Sequence, residues 1–259
     1  MAVFDLVYLT LCTVFYSLEL LYRGFTDSED WLYGWVFASQ VVVFPLECVA
    51  SAGSVYTTVA LTLDRTVAVA FPLKWKSVCT SRRVKTVLVA VIAWSVLSNI
   101  PSMMEEYIGR VWLTHNHSYI GAHTTQYGES PFNIEIKIQI LEPVFQYSFP
   151  CLLICTANCV IAVVLRRGPA LRRRRHVGKI TLEVVVISMV TLVSQGLHCT
   201  TAVILASYNT IYVEESPVFV GILDLVAHLL SVINSTINFF VYCYFGEKFR
   251  RAFFRRFRK

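Results

Sequence analysis

Six long runs of mainly apolar residues alternate with shorter polar connections along the chain. The runs cover residues 2–22, 33–67, 84–103, 135–165, 178–206 and 217–244. A helix that crosses the hydrocarbon core of a bilayer needs about 20 mainly apolar residues, and each run satisfies that length. The pattern therefore predicts six membrane-spanning helices that pack together as one domain.

The connections between the runs differ in charge, and the difference alternates along the chain. Acidic or polar connections are 23–32, 104–134 and 207–216, and basic ones are 71–83, 166–177 and the tail 246–259. Because basic loops remain on the cytosolic side of a membrane, the acidic and polar connections are predicted to face outside. Asn116, in the sequence Asn-His-Ser, is then a candidate site of N-glycosylation.

Composition agrees with a membrane protein and argues against several other classes. Hydrophobic residues make up 56% of the 259 residues, more than a soluble domain of this size can bury. The net charge of +6 comes from the basic connections, so we expect no nucleic-acid partner. Because the chain has no nucleophile motif, phosphate loop or Cys/His metal spacing, we expect neither an enzyme nor a cofactor. The eight cysteines are interpreted as buried thiols that pack as small apolar groups.

The tail is predicted to form a separate helix at 247–258. Phe245, Phe249, Phe253 and Phe257 recur every four residues, and Lys and Arg fill most positions between them. On a helix this spacing places the rings on one face, which suits the acyl boundary, and leaves the bases near anionic lipid headgroups. An amphipathic helix along the membrane surface is predicted; the alternative is a disordered basic tail.

Two motifs resemble those of a known family. LTLDRTVAVAFPLKW, at 61–75, resembles the end of the third helix and the second intracellular loop of rhodopsin-family (class A) G protein-coupled receptors. There Thr66 replaces the usual Tyr. NSTINFFVY, at 234–242, resembles their seventh-helix Asn-Pro-x-x-Tyr motif, with Phe239 in place of Pro.

Further matches extend the resemblance over nearly the whole chain. Asp5, Trp94 and Pro150 match the second-helix aspartate, the fourth-helix tryptophan and the fifth-helix proline of the family. The stretches PLKWKSVCTSRRVK, NIPSMMEE and NCVIAVVLRR resemble FMRFamide receptor-like invertebrate neuropeptide receptors. The resemblance implies an all-α seven-transmembrane bundle over 1–259, of which six spans, helices two to seven, are present. It also implies a truncation that removes the first helix, and a multi-pass location in the plasma membrane.

Two family features are not found in the sequence. The family's disulfide joins the outer end of the third helix to the second outer loop, but neither the residues near Ser39 nor 104–134 contain a cysteine. The sixth-helix Trp-x-Pro motif is also missing, and His198 stands roughly in the place of its aromatic residue.

The resemblance implies a switch at the cytosolic end of the bundle. Arg65 would be held by Asp64 and Glu183 in the inactive state. It would face a heterotrimeric G protein once the sixth helix moves outward, and Tyr242 would rotate at the base of the seventh helix. The alternative is an interfacial Asp-Arg pair that only sets the depth of its helix.

The resemblance also implies an inner polar cluster in the middle of the bundle. Its members are Asp5, Asn234, Ser235 and Asn238. A carboxylate at this depth needs polar partners, and amides from another helix supply them. The resemblance makes sodium a candidate ion at Asp5.

Four carboxylates, one from each of four helices, are placed by helical rise in the outer half of the bundle. They are Glu19, Glu47, Glu142 and Asp224, and Lys137 is their nearest compensating charge. Because isolated carboxylates there are costly, we expect a cavity that receives a cationic peptide. For Glu19 and Asp224, exposure at a helix end remains the alternative.

An Arg-Phe-amide peptide would suit such a cavity. Its guanidinium would pair with a carboxylate and its ring would pack among aromatic side chains such as Phe44 and Tyr147. The sequence thus favours a peptide receptor that signals through a G protein. The alternatives are a truncated receptor fragment that does not signal and a transporter, although the inverted repeats of transporters are not visible.

Overall fold

The computed structural model describes residues 1–24, 30–114, 117–167, 175–211 and 217–245. In chain order the α-helices are α1 Ala2–Gly24, α2 Asp30–Ala70, α3 Pro72–Val78, α4 Ser81–Met103, α5 Phe149–Arg167, α6 Arg175–Ile211 and α7 Pro217–Phe245. The predicted surface helix at 247–258 and the glycosylation candidate Asn116 lie outside the described residues.

Four helical stretches within the described residues are long and apolar enough to cross a bilayer. They are Ser39–Ala70, Ser81–Met103, Phe132–Arg166 and Thr181–Thr201. The first and last predicted runs are also helical, but their apolar described parts, Ala2–Ser17 and Leu225–Asn238, are shorter. The chain is therefore a mostly helical membrane protein, and the count of six spans stays a prediction.

An antiparallel hairpin lies within the connection 104–134, for which the sequence predicted only a long polar loop. Strands β1, Glu106–Thr114, and β2, His117–Thr124, pair from Glu106 opposite Thr124 to Trp112 opposite Ser118, and the register shifts before Thr114 pairs with His117. Both strands are rich in aromatic and β-branched residues, which favour a pleated surface. Strand β2 packs against α2, so the hairpin lies beside the central helix.

The helix that leads into α5 has the wider π-helical backbone at Phe132–Leu141 and Pro143–Ser148. The N–H of Glu142 donates to the carbonyl of Lys137 and that of Phe149 to the carbonyl of Val144, each five residues earlier. This is the π-helical hydrogen-bond pattern, which is rare and occurs frequently at functional sites. The sequence predicted a helix here but not its width.

Helix α2 is the centre of the bundle and packs against α1, α4, α5 and α6. The buried positions include many hydroxyl and amide side chains, among them Thr58, Thr62 and Asn99. Thr62 Oγ1 donates to the carbonyl of Thr58 at 2.8 Å, so the hydroxyl is satisfied within its own helix. Small and polar residues inside, with apolar side chains outside, are typical of helix packing in a bilayer.

The prediction that the cysteines are buried is wrong for two of those described, and four others are only partly buried. Of the seven described cysteines, all free, Cys12 is buried, whereas Cys155 and Cys159 are exposed on α5. A thiol behaves as a small apolar group, and lipid accepts it on the outer face of a helix as readily as a core does. Hydropathy places a cysteine in a span but does not say which face carries it.

Gly53 allows α1 to approach α2 closely. A methyl group at this position would overlap the ring of Phe4, whereas one at Gly196 on α6 would meet no atom within 4 Å. We expect Gly53→Ala to lower stability by about 1–3 kcal/mol through overpacking. Thermal unfolding of the purified receptor in detergent measures the change. Gly196→Ala is the matched control, and equal effects of the two substitutions would contradict the close approach.

Candidate functional site

A cavity of about 150 Å³ opens between α1, α2, the π-helical segment, α6 and α7. Its polar lining consists chiefly of Tyr8, Glu47, Glu142, Gln195, His198 and His228. Phe44 and Tyr147 also line it, so the structure brings together four of the six residues predicted for the ligand pocket. The side chains of the other two, Glu19 and Asp224, lie outside the described residues.

Glu47 is the buried carboxylate of this cavity, with 3% of its surface exposed. The thiol of Cys12 on α1 donates to Glu47 Oε1 at 3.1 Å. His228 Nδ1 on α7 lies 3.9 Å from the same oxygen. Neither partner carries the fixed positive charge that a buried carboxylate prefers, and the sequence analysis identified neither one.

Glu142 is in a different position, because Lys137 already compensates its charge. Lys137 is 6% exposed, and its ammonium pairs with Glu105 and lies 3.8 Å from Glu142 Oε2. It also donates to Ser102 Oγ at 2.8 Å. Glu142 therefore belongs to an internal ion-pair network with Lys137, the compensating charge named from the sequence, and with Glu105, which was not foreseen.

The acidic residues around Lys137 extend to the start of the hairpin. Gln40 Nε2 on α2 donates to Glu106 Oε1 at 3.5 Å. Burial, followed by the charge of the neighbouring Glu105, raises the pKa of Glu106. The beginning of β1 is therefore attached both to the Lys137 network and to α2, where the sequence offered no disulfide.

His198 lies between two aromatic neighbours on the cavity wall. Its ring stacks on Tyr147 with centroids 5.5 Å apart and meets His228 edge to face at 5.6 Å. His198 Nε2 is 2.6 Å from Ser231 Oγ. The residue that stands in the place of the family's aromatic side chain therefore connects α6 to both the π-helical segment and α7.

The inner polar cluster forms around Asp5, which is 4% exposed. Ser54 Oγ on α2 donates to Asp5 Oδ1, and Asn238 Nδ2 on α7 donates to Asp5 Oδ2 at 3.2 Å. Ser54 was not foreseen by the sequence analysis. Asn234 instead accepts from Thr191 Oγ1 on α6 at 3.2 Å, and Ser235 is buried nearby on α7.

Asp64 is a hydrogen-bond centre at the end of α2 that precedes the first basic connection. It accepts from Arg65 Nη2 at 2.5 Å, from Trp75 Nε1 at 3.1 Å and from Cys79 Sγ at 2.7 Å. The guanidinium carbon of Arg65 is also 5.9 Å from the centre of the Trp75 ring. The hydrogen bond to Asp64, more than burial, raises the pKa of the Cys79 thiol, which keeps it protonated at neutral pH.

The remaining predicted members of the switch are less closely placed. The described residues show no ion pair between Arg65 and Glu183, although Glu183 lies within electrostatic range of the guanidinium. Arg65 Nε is buried and has no hydrogen-bond partner among the described residues. The side chain of Tyr242 lies outside them. Asp64 and Trp75 therefore contact the Arg65 guanidinium more closely than Glu183 does.

The helical membrane bundle holds a polar cavity, a buried carboxylate with polar partners and an Asp-Arg pair, and this combination suits a membrane receptor. The chain belongs to the 7 transmembrane receptor (rhodopsin family), whose family model matches residues 1–242. The family resemblance predicted from the Asp-Arg and seventh-helix motifs is confirmed.

Three curated relatives narrow the comparison. The chain is 29% identical over 233 residues to an FMRFamide receptor of Drosophila melanogaster, an alignment that covers 85% of this chain and 40% of that receptor. It is 25% identical over 241 residues to the probable G-protein coupled receptor frpr-1 of Caenorhabditis elegans, covering 86% and 61%. The FMRFamide peptide receptor frpr-18 of Caenorhabditis elegans is 24% identical over 224 residues, covering 82% and 50%. The chain thus spans between 40% and 61% of the length of these relatives.

Proposed function

We propose that this receptor binds a cationic peptide of the Arg-Phe-amide type and signals through a heterotrimeric G protein. One observation carries the proposal: Glu47 is buried in the cavity. Among the described residues its neighbours are a histidine and a thiol, and no Lys or Arg pairs with it. A guanidinium from a ligand supplies the missing charge. The names of two relatives as FMRFamide receptors support the same ligand class.

Glu47 is preferred over Glu142 as the acceptor because Lys137 already neutralises Glu142. A ligand cation near Glu142 would have to share that carboxylate with an internal ammonium. At Glu47 it would form charge-assisted hydrogen bonds that no Lys or Arg among the described residues makes. The phenyl ring of the peptide would pack against Phe44 and Tyr147, which line the same cavity.

Replacing Glu47 by Gln tests the proposal. The substitution keeps shape and hydrogen-bonding capacity but removes the charge, so we expect at least about a tenfold loss of potency for an Arg-Phe-amide peptide. A calcium assay on cells that express the full-length receptor measures potency, with surface labelling to normalise expression.

Two controls accompany that measurement. Glu135→Gln removes an exposed carboxylate from the π-helical segment and should leave potency unchanged. A peptide with citrulline in place of arginine should be weak on the wild type and lose little more on Glu47→Gln, because both changes remove the same ion pair. Equal potency of the arginine peptide on the wild type and on Glu47→Gln would contradict the pairing.

At the opposite end, we propose that Arg65 contacts the G protein after α6 moves outward. The contacts of Asp64 with Arg65, Trp75 and Cys79 support a resting state in which the guanidinium is held by α2 and the following loop. Glu183 and Tyr242 are proposed to complete the switch. The family supports a multi-pass protein, and we propose the plasma membrane as its location, with lipid around the apolar outer faces.

The inner polar cluster fits a monovalent cation. Asp5 and Ser54 provide oxygen atoms, and Asn238 Oδ1 is buried without a hydrogen-bond donor among the described residues. An acceptor of this kind beside a carboxylate is the chemistry that sodium prefers. We propose that Asp5, Ser54 and Asn238 would hold such an ion, which would supply a positive charge beside the buried carboxylate.

A further inference from the structure

His228 on α7 is a titratable neighbour of the buried carboxylate of Glu47. Its Nδ1 lies 3.9 Å from Glu47 Oε1, which is within the range of an ion pair but longer than a hydrogen bond. The His228 side chain is 22% exposed and lines the cavity, so a proton can reach it from there. The cavity thus places a group that can gain a positive charge beside the carboxylate.

The titratable and charged side chains around His228 come from every element that borders the cavity. The described ones are Tyr8, Cys12 and Tyr16 on α1, Glu47 on α2, Glu142 and Tyr147 on the π-helical segment, and His198 on α6. The side chain of Asp224, on α7 itself, lies outside the described residues. Lys137 already compensates Glu142. Glu47 is therefore the described carboxylate with which a charged His228 would pair.

One proton on His228 would change the charge balance of the cavity. Histidine gains its proton between about pH 8 and pH 5, and an imidazolium would give Glu47 a positive partner. His198 is the alternative site for the proton, and its ring meets the His228 ring edge to face at 5.6 Å. Because two adjacent imidazolium ions repel each other, the pair is expected to hold one proton. His198 Nε2 lies 2.6 Å from Ser231 Oγ, whereas His228 lies at ion-pair distance from the carboxylate.

We propose that His228 is a proton switch that competes with the peptide for Glu47. While His228 is neutral, Glu47 is available to the guanidinium of the peptide. Once His228 is protonated, its imidazolium pairs with Glu47 and the peptide is displaced. This inference rests on the proposed peptide function and adds its regulation by pH. Because the proton and the peptide weaken each other's binding, the receptor holds its ligand at neutral pH and releases it in an acidic compartment.

The test measures how pH changes the affinity of the wild type. A labelled, N-acetylated Arg-Phe-amide peptide is bound to membranes from cells that express the full-length receptor, at about pH 7.5 and about pH 5.5. Acetylation removes the terminal amine, so the guanidinium is the only charge of the peptide, and it does not titrate in this range. Competition with one proton raises Kd by up to about tenfold over this interval, and we expect at least about fivefold.

Two variants assign the effect to one histidine. His228→Gln keeps a polar side chain that cannot gain a charge, so the ratio of Kd at the acid pH to Kd at the neutral pH should fall below about twofold. His123→Gln removes a histidine of the hairpin and is the matched control, which should keep the wild-type ratio. A wild-type ratio that persists in His228→Gln overturns the inference, because the proton then acts at Glu47 or His198.

A further measurement requires no variant. A peptide with citrulline in place of arginine has no charge that competes with the imidazolium, so its weaker affinity for the wild type should change by less than about twofold. An arginine peptide that binds equally well at both pH values contradicts this inference alone. A surface-expressed wild type that fails to bind the arginine peptide even at neutral pH contradicts the proposed function, and this inference with it.

Discussion

Replacing Lys137 by methionine should destabilise the receptor by about 3–5 kcal/mol and remove most of it from the cell surface. The substitution keeps the apolar stem of the side chain but deletes a buried ammonium. It leaves the partly buried carboxylates of Glu105 and Glu142, with side chains 24% and 25% exposed, without their cation, and removing one partner of a buried ion pair costs up to this much. Thermal unfolding in detergent and surface labelling measure the two effects.

The size of the effect follows from what the ammonium connects. Ser102 and Glu105 lie at the end of α4 and just before β1, while Glu142 lies in the π-helical segment. Lys137 thus joins the entrance of the hairpin to the helix that leads into α5. In a chain whose sequence offers no disulfide at this place, the ion-pair network holds the hairpin entrance in addition to the packing of β2 against α2.

Two further variants separate charge from packing. Lys85→Met removes an exposed lysine from α4 and should change stability by less than about 0.5 kcal/mol. Adding Glu105→Gln to Lys137→Met should recover part of the lost stability, because the double variant has one uncompensated carboxylate fewer. A Lys137→Met receptor as stable as the wild type would show that the network has no energetic role.

Replacing Asp64 by alanine should raise basal signalling about fivefold or more. The carboxylate accepts from Arg65, Trp75 and Cys79. Its loss therefore frees the guanidinium, the indole N–H on α3 and the thiol that follows α3. Hydrogen bonds to a charged group contribute about 1.5–3 kcal/mol each. These bonds are expected to form only in the resting state. A loss of about 1–2 kcal/mol in the stability of that state multiplies the active population by about 5–30.

Smaller changes in the same cluster should give graded results in an assay of G protein activation without ligand. Trp75→Phe keeps an aromatic ring near Arg65 but removes the donor to Asp64, so basal signalling should rise less than in Asp64→Ala. Ser77→Ala alters a neighbouring hydroxyl that bonds only to the carbonyl of Lys74 and should have no effect. Basal signalling at the wild-type level in Asp64→Ala would contradict a resting-state role.

The helices were predictable from the sequence because hydropathy is a local property. The expected helix at 33–67 is observed as Asp30–Ala70, and the one at 84–103 as Ser81–Met103. The hairpin was not predicted, since its residues were read as a polar connection. The π-helical width at Phe132–Leu141 has no periodic signature in the sequence that separates it from an α-helix.

The candidate sites were only partly predictable. Glu47 and Asp5 stood out because carboxylates are rare in apolar runs. Their partners are ordinary residues that belong to distant parts of the chain: Cys12 is 35 positions from Glu47, and Asn238 is 233 positions from Asp5. No local pattern marks such partners, which become neighbours only when the helices pack.

The sequence by itself determined the membrane helices, the family and the positions of the unusual charges, because each depends on residue type and spacing along one segment. The tertiary structure decided which charges are compensated. It paired Lys137 with Glu105 and Glu142 and left Glu47 facing His228. Charge compensation depends on distances of a few ångströms between helices, and only the packed bundle fixes those distances.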